Sequence, residues 1–103
     1  MSPARLFAVA LSLTLASTTA YASNELARSK NCVACHHLER KTLGPSFKDI
    51  AAKYADDDAT RKTLIEKVQK GGVGVWGQMP MPAQPQVSAE EAQALVRWIL
   101  TLK

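Results

Sequence analysis

Apolar residues recur at helical spacing in several segments of the chain, which predicts amphipathic helices. The first such segment follows Pro45, a residue that suits the first turn of a helix. Its apolar face consists of Phe47, Ile50, Ala51 and Tyr54. A second helix should run from about Thr60 to Lys70 and end at Gly71-Gly72. The apolar side of this second helix consists of Leu64, Ile65 and Val68.

A third apolar face belongs to a C-terminal helix. Ser88 is followed three residues later by Glu91, the spacing of a capping box at a helix N-terminus. The face that comes after it consists of Ala92, Leu95, Val96, Ile99 and Leu102. A short segment from Asn24 to Asn31, with Leu26 turned inward, is a fourth candidate helix.

Patterns typical of strands are nearly absent, since no stretch alternates apolar and polar residues beside an Asn-Gly or Asp-Gly turn. The segment from Gly71 to Val87 is predicted to be a loop, because helical structure cannot persist through Pro80, Pro82 and Pro85. The sequence therefore predicts an all-α domain of about four short helices.

Residues 1–22 are predicted to be a signal peptide that is removed from the mature protein. Arg5 precedes an apolar run from Leu6 to Ala16, and small residues then lead to Ala20-Tyr21-Ala22, an A-x-A cleavage site. The alternatives are a buried first helix and a retained membrane anchor, although the run is short of the roughly 20 residues that span a bilayer. The mature domain should then be residues 23–103 of an exported protein.

Composition narrows the class of protein further. The chain has 103 residues, of which 47% are hydrophobic and 21% charged, so it is neither a disordered tail nor a coiled coil. The formal net charge of +4 suits an acidic partner or an anionic surface, but there is no dense basic stripe of a nucleic-acid binder. A domain this small buries little surface and usually needs a disulfide, a metal or a large cofactor.

The motif that carries the chemistry is C-x-x-C-H at residues 32–36. Two thiols at this spacing, Cys32 and Cys35, can add to the two vinyl groups on one edge of a haem, and His36 is then placed under the iron as its proximal ligand. A thioredoxin-like pair would need a βαβ pattern, which the chain lacks. A structural zinc site would need four ligands, and beyond the C-x-x-C-H motif only His37 is a further candidate. A plain disulfide is the third alternative.

The second axial position of such a haem needs another donor. His37 lies beside His36, which makes it geometrically unsuitable, and the remaining soft donors are Met79 and Met81. Each precedes a proline and should be extended, so that both side chains point broadly the same way. Spacing alone does not choose between the two methionines.

These motifs together resemble a small bacterial class I cytochrome c, of the c-551/c-552 type of periplasmic electron carriers. The resemblance covers residues 24–103. It is carried by the C-x-x-C-H, by Gly44-Pro45, by Val75-Trp76-Gly77-Gln78-Met79-Pro80-Met81-Pro82 and by Arg97-Trp98-Ile99-Leu100. It implies a class I cytochrome c fold, with about four short helices wrapped around one covalently attached haem c.

The resemblance also implies roles for individual residues. Met81, in the Pro-Met-Pro, would be the second axial ligand, and the Pro45 carbonyl would accept a hydrogen bond from His36. Trp76 would donate to a haem propionate, near which Lys67 would add a positive charge. At Ala83-Gln84 relatives often have Pro-Asn, with the asparagine near the methionine sulfur, so the surroundings of that sulfur should differ here.

The function implied is one-electron transfer in the periplasm, without catalysis, by a haem that cycles between Fe(III) and Fe(II). A membrane cytochrome complex would be the electron donor and a periplasmic reductase or oxidase the acceptor. We expect a monomer with no nucleic-acid partner and no stable membrane insertion, which docks through apolar residues such as Val33, Val73 and Met79. The alternative is a haem enzyme or gas sensor with an open sixth position.

Overall fold

The structure is a computed structural model that describes Ala4, residues 8–12 and residues 24–103. The predicted cleavage site after Ala22 and most of the predicted signal peptide lie outside these residues. Within the described ranges, no helix has the length and apolar character needed to cross a membrane.

Four α-helices form the frame of the domain: α1 (Asn24–Ser29), α2 (Phe47–Lys53), α3 (Asp58–Lys70) and α4 (Ala89–Leu100). Each of the last three begins at a capping side chain. Ser46 Oγ accepts from Asp49 N at 3.0 Å, so that α2 begins at Phe47 rather than at Pro45. Asp57 caps α3 in the same way, and both hydrogen bonds of the predicted capping box are present at α4.

Residues 72–81 form a β-hairpin. The prediction of a loop from Gly71 to Val87 is therefore wrong for these residues. Strand β1 (Gly72–Gly74) pairs antiparallel with β2 (Gly77–Met81). The turn at residues 75–76 lies between Gly74 and Gly77, whose φ angles of 103° and 107° favour glycine. Pro80 is tolerated because every strand of a two-stranded sheet has a free edge.

The core joins the two ends of the domain. A cluster of buried side chains consists of Ala27, Phe47, Val87, Ala92 and Leu95. A second cluster joins α3 to α4 through Leu64, Val96 and Leu100. The predicted apolar face of α4 is confirmed at Ala92, Leu95 and Val96, which are buried. Together, α2, α3 and α4 leave one apolar side open toward the C-x-x-C-H segment and the hairpin.

Candidate functional site

A cavity of about 290 Å³ lies between the helices, the C-x-x-C-H segment and the hairpin. Its walls are mainly apolar, and the helices contribute Ile50, Leu64, Val68, Leu95 and Ile99 among others. The residues predicted to attach, ligate or surround the haem all line this cavity: Cys32, Cys35, His36, Pro45, Lys67, Trp76, Met79 and Met81. Side chains that are widely separated in the chain therefore meet at one site.

The two cysteines are presented by a 3₁₀ turn over Cys32–Ala34. The turn begins at Asn31, whose φ of 64° is in the left-handed region. The N–H groups of Cys35 and His36 both donate to the Cys32 carbonyl, at 3.2 and 2.9 Å. Both cysteines are half-buried, and burial raises the pKa of the Cys32 thiol against the smaller, opposite effect of a backbone hydrogen bond. Cys32 and Cys35 thus offer two sulfurs to one cavity.

The imidazole of His36 is held on two sides. Its Nδ1 lies 2.7 Å from the Pro45 carbonyl oxygen, and its ring stacks on Phe47 with centroids 5.4 Å apart. Because a carbonyl oxygen only accepts, this contact requires Nδ1 to carry the proton. In the neutral imidazole, Nε2 is then the nitrogen without a proton, with a lone pair available to a metal.

The loop between His36 and Pro45 is closed tightly around the ring. Gly44 N and Thr42 Oγ1 both donate to the Cys35 carbonyl, at 2.8 and 2.6 Å. A Cβ atom at Gly44 would lie 2.7 Å from His36 Cε1 and 2.9 Å from Nδ1. Glycine is therefore required at position 44 by close approach to the imidazole. Sequence reasoning missed the roles of Thr42 and of the Phe47 stack, for which the chain shows no spacing signal.

Met81 lies in the wall formed by the hairpin. Its main chain pairs with Gly72 across the sheet. Gly71, with φ 75°, is packed so closely that an added Cβ would collide with the Met81 carbonyl oxygen. Met81 is half-buried, whereas Met79 is 63% exposed. Both sulfur side chains reach the cavity, but only Met81 is enclosed by its surroundings.

Trp76 and Lys67 lie at the side of the cavity formed by α3 and the hairpin turn. Trp76 is 38% exposed, and the Lys53 ammonium lies 5.4 Å from its ring centroid and 6.0 Å from that of Tyr54. Lys67 is half-buried beside Gly72. The contact of Lys53 with Trp76 was not predicted, because nothing in the sequence links these positions.

A cavity with paired thiols, a histidine and a methionine, set among short helices, defines a protein that holds haem through thioether bonds. The family model described as Cytochrome c matches residues 21–103, and the chain belongs to this family. It is similar to cytochrome c-552 of Nitrosomonas europaea, with 50% identity over 103 residues that are 100% of each chain.

Solved structures agree with this assignment. The crystal structure of wild-type N. europaea cytochrome c552 has a TM-score of 0.76 at 53% identity, covering 79% of this chain and 100% of that one. A class 1 cytochrome from Sideroxydans lithotrophicus ES-1 has a TM-score of 0.62 at 31% identity, covering 81% of this chain and 95% of that one. The predicted class I cytochrome c fold is confirmed, and the chain is a haem-containing electron carrier.

The cofactor of this family is covalently attached haem c, and the cavity fits it. Two half-buried thiols, an imidazole with Nε2 unprotonated and a methionine in the hairpin wall border one apolar space. Gly44 packs closely against the His36 ring, and the Pro45 carbonyl holds its Nδ1. Among the described residues, no group of three or more His, Cys, Asp or Glu side chains could hold a metal ion. The family and its relatives confirm the prediction of a covalently attached haem c.

We expect Gly44→Ala to lower the free energy of unfolding of the haem protein by about 1–3 kcal/mol, as overpacking of a tight site does. The new methyl group must push the His36 ring from Pro45 or open the loop. Denaturant unfolding, together with the visible spectrum, would measure this. Gly72→Ala is the matched control, because its methyl group would meet the flexible end of the Lys67 side chain. Equal losses in the two variants would contradict the role of Gly44.

Proposed function

We propose that this chain is a periplasmic one-electron carrier whose haem is attached through Cys32 and Cys35 and ligated axially by His36 and Met81. The observation that carries the proposal is the 2.7 Å contact between His36 Nδ1 and the Pro45 carbonyl, which commits the tautomer that leaves Nε2 as a ligand. Bound haem c supplies an iron that cycles between Fe(III) and Fe(II).

His36 and Met81 together would leave no axial position for a substrate, which supports a carrier rather than an enzyme. The methionine thioether is soft and uncharged, so it favours Fe(II) and raises the reduction potential. The apolar walls supplied by residues such as Leu64, Val68 and Leu95 exclude water from the site. Little rearrangement of the protein would then be needed when the charge of the haem iron changes between Fe(III) and Fe(II).

Two further residues are proposed to act on the haem propionates. The Trp76 indole N–H is a donor only, and a propionate would be its acceptor. Lys67 would add a positive charge at the same side of the cavity. Support for both comes from their positions in the cavity wall, where Lys67 is half-buried.

The proposed docking surface is a set of exposed apolar residues: Val73 and Met79 in the cavity wall, and Val33 in the turn between the two cysteines. Small apolar patches of this kind suit brief encounters between redox proteins. The formal net charge of +4 becomes +3 once residues 1–22, with Arg5, are removed, and this positive charge would steer acidic partners in a salt-dependent manner. A membrane cytochrome complex as donor, a periplasmic reductase or oxidase as acceptor, and a monomeric carrier without stable membrane insertion or nucleic-acid binding complete the proposal.

Residues 1–22 are proposed to act as the signal peptide and residues 23–103 as the mature domain. The support is the order of Arg5, the apolar run and Ala20-Tyr21-Ala22. N-terminal sequencing of the exported protein tests this, since a start near Ser23 is expected. A retained leader would contradict it.

The visible spectrum of the exported protein, reduced with dithionite before and after addition of carbon monoxide, tests the ligation. We expect sharp c-type bands that do not change with carbon monoxide, because both axial positions are filled by the protein. A shift of the bands would mean an open sixth position, and a haem enzyme or gas sensor would then be the better assignment.

A further inference from the structure

Two glutamine side chains connect the loop behind Met81 to the segment that precedes Cys32. Gln86 Nε2 donates to the Lys30 carbonyl at 3.0 Å and to Gln84 Oε1 at 2.6 Å. Gln84 Nε2 in turn donates to the carbonyl of Pro82 at 3.0 Å. We call these two side chains, with their three hydrogen bonds, the glutamine strap. It runs from the residue two positions before Cys32 to the residue directly after Met81.

Both ends of the glutamine strap are anchored in the frame of the domain. The Lys30 ammonium pairs with Glu91 at 2.9 Å, within the capping box of α4, and also donates to the Gln86 carbonyl at 3.3 Å. Gln84 N donates to the Val68 carbonyl of α3 at 3.1 Å. The strap is therefore fixed to α3 and α4, which line the cavity, and to Lys30, which directly follows α1.

The loop that carries the strap has few main-chain donors of its own. Pro82 and Pro85 have no N–H group, so neither can tie the loop to the frame by a backbone donor. Val87 N donates within the loop, to the Gln84 carbonyl at 3.1 Å. Side-chain hydrogen bonds consequently supply much of what holds residues 82–86 in place. The Gln84 side-chain amide is engaged at both of its ends, with the Pro82 carbonyl and with Gln86.

We propose that Gln84 and Gln86 are positioning residues for Met81: the glutamine strap keeps the Met81 loop closed over the cavity and so slows dissociation of the sulfur from the iron. This inference rests on the proposed ligation by Met81. A strapped loop opens seldom, and an external ligand can enter only when it opens. Loss of the strap should raise the rate at which an external ligand enters, while Met81 remains the axial ligand of the resting protein.

The experiment compares the haem-loaded wild type with Gln86→Leu, which removes two donated hydrogen bonds. Loss of one hydrogen bond should shift the equilibrium between the closed and the open Met81 loop by about twofold to tenfold. Because imidazole enters only through the open loop, we expect it to displace Met81 from the oxidised protein roughly tenfold faster. Gln78→Leu is the matched control, because Gln78 is an exposed glutamine of the neighbouring strand β2 and takes no part in the strap. The control should exchange at the wild-type rate.

Amide hydrogen exchange gives a second readout that does not depend on ligand entry. In Gln86→Leu, exchange of the Gln84 N–H should accelerate by a similar factor, while amides inside α4 keep their protection. Equal acceleration throughout α4 would mean general destabilisation and would overturn the proposal. The double variant Gln84→Leu/Gln86→Leu should be little faster than the more severe single variant, because the two side chains act in one chain of bonds.

The two proposals fail in different ways. If the wild-type ferrous protein binds carbon monoxide at once, ligation by Met81 is wrong and the strap positions no ligand. If the wild type is closed but Gln86→Leu behaves like Gln78→Leu in both imidazole entry and Gln84 exchange, ligation stands and the strap is overturned.

Discussion

Replacing Met81 by alanine should convert a closed haem protein into one whose ferrous form binds carbon monoxide. The thioether stabilises Fe(II), so the reduction potential should also fall, by on the order of 0.1 V or more within the roughly 0.8 V that axial ligands span. A carbon monoxide titration followed by absorbance, and potentiometry of the same sample, would measure both effects.

Met79→Ala is the matched control, since it removes an identical side chain from the same strand. Met79 is 63% exposed, whereas Met81 is half-buried beside the close contact at Gly71. The Met79 variant should remain closed to carbon monoxide and keep its potential, although it would lose part of the proposed docking surface. The opposite pattern, with Met79→Ala open and Met81→Ala closed, would make Met79 the ligand.

The double variant Cys32→Ala/Cys35→Ala should carry no covalent haem and should fail to fold stably. An emptied cavity of 290 Å³ costs at most about 7 kcal/mol at about 24 cal/mol per Å³. The net stability of a domain of this length is roughly 4 to 12 kcal/mol, so a loss of that size removes most or all of it. Circular dichroism during thermal unfolding, together with haem staining of the denatured protein, would measure the result.

Each single cysteine variant is a control, because it keeps one thiol that can form a thioether. We expect both single variants to retain attached haem and a cooperative unfolding transition at lower temperature. A double variant that unfolds cooperatively with the stability of the wild type would contradict the view that the cofactor fills the core of this domain.

The local signals in the chain predicted most of the helical frame. Ser88 and Glu91 form the expected capping box, and α3 ends before Gly71 as the paired glycines indicated. These features depend on neighbours three or four residues apart, which are visible in a sequence. The C-x-x-C-H motif is equally local, and the structure brings its residues to the cavity together.

Contacts between distant residues could not be predicted in the same way. The hairpin depends on positive φ angles at Gly74 and Gly77, and no alternation of apolar residues announces it. The contact of Lys53 with Trp76 joins the end of α2 to the hairpin turn, so it exists only once both elements are packed. Met81 is half-buried and Met79 is 63% exposed, although both precede a proline in the same strand, so their neighbours in the chain do not predict the difference.

The first and last helices of the domain pack against each other, which delays closure until nearly the whole chain is available. Ala27 is fully buried in the same cluster as Ala92 and Leu95, and Lys30 pairs with Glu91. Contacts of such large sequence separation form slowly, because a long loop must close before they stabilise the fold. A chain that emerges N-terminus first therefore presents its two thiols before α4 arrives. The order of elements along the chain would let the proposed attachment of haem at Cys32 and Cys35 precede tertiary folding.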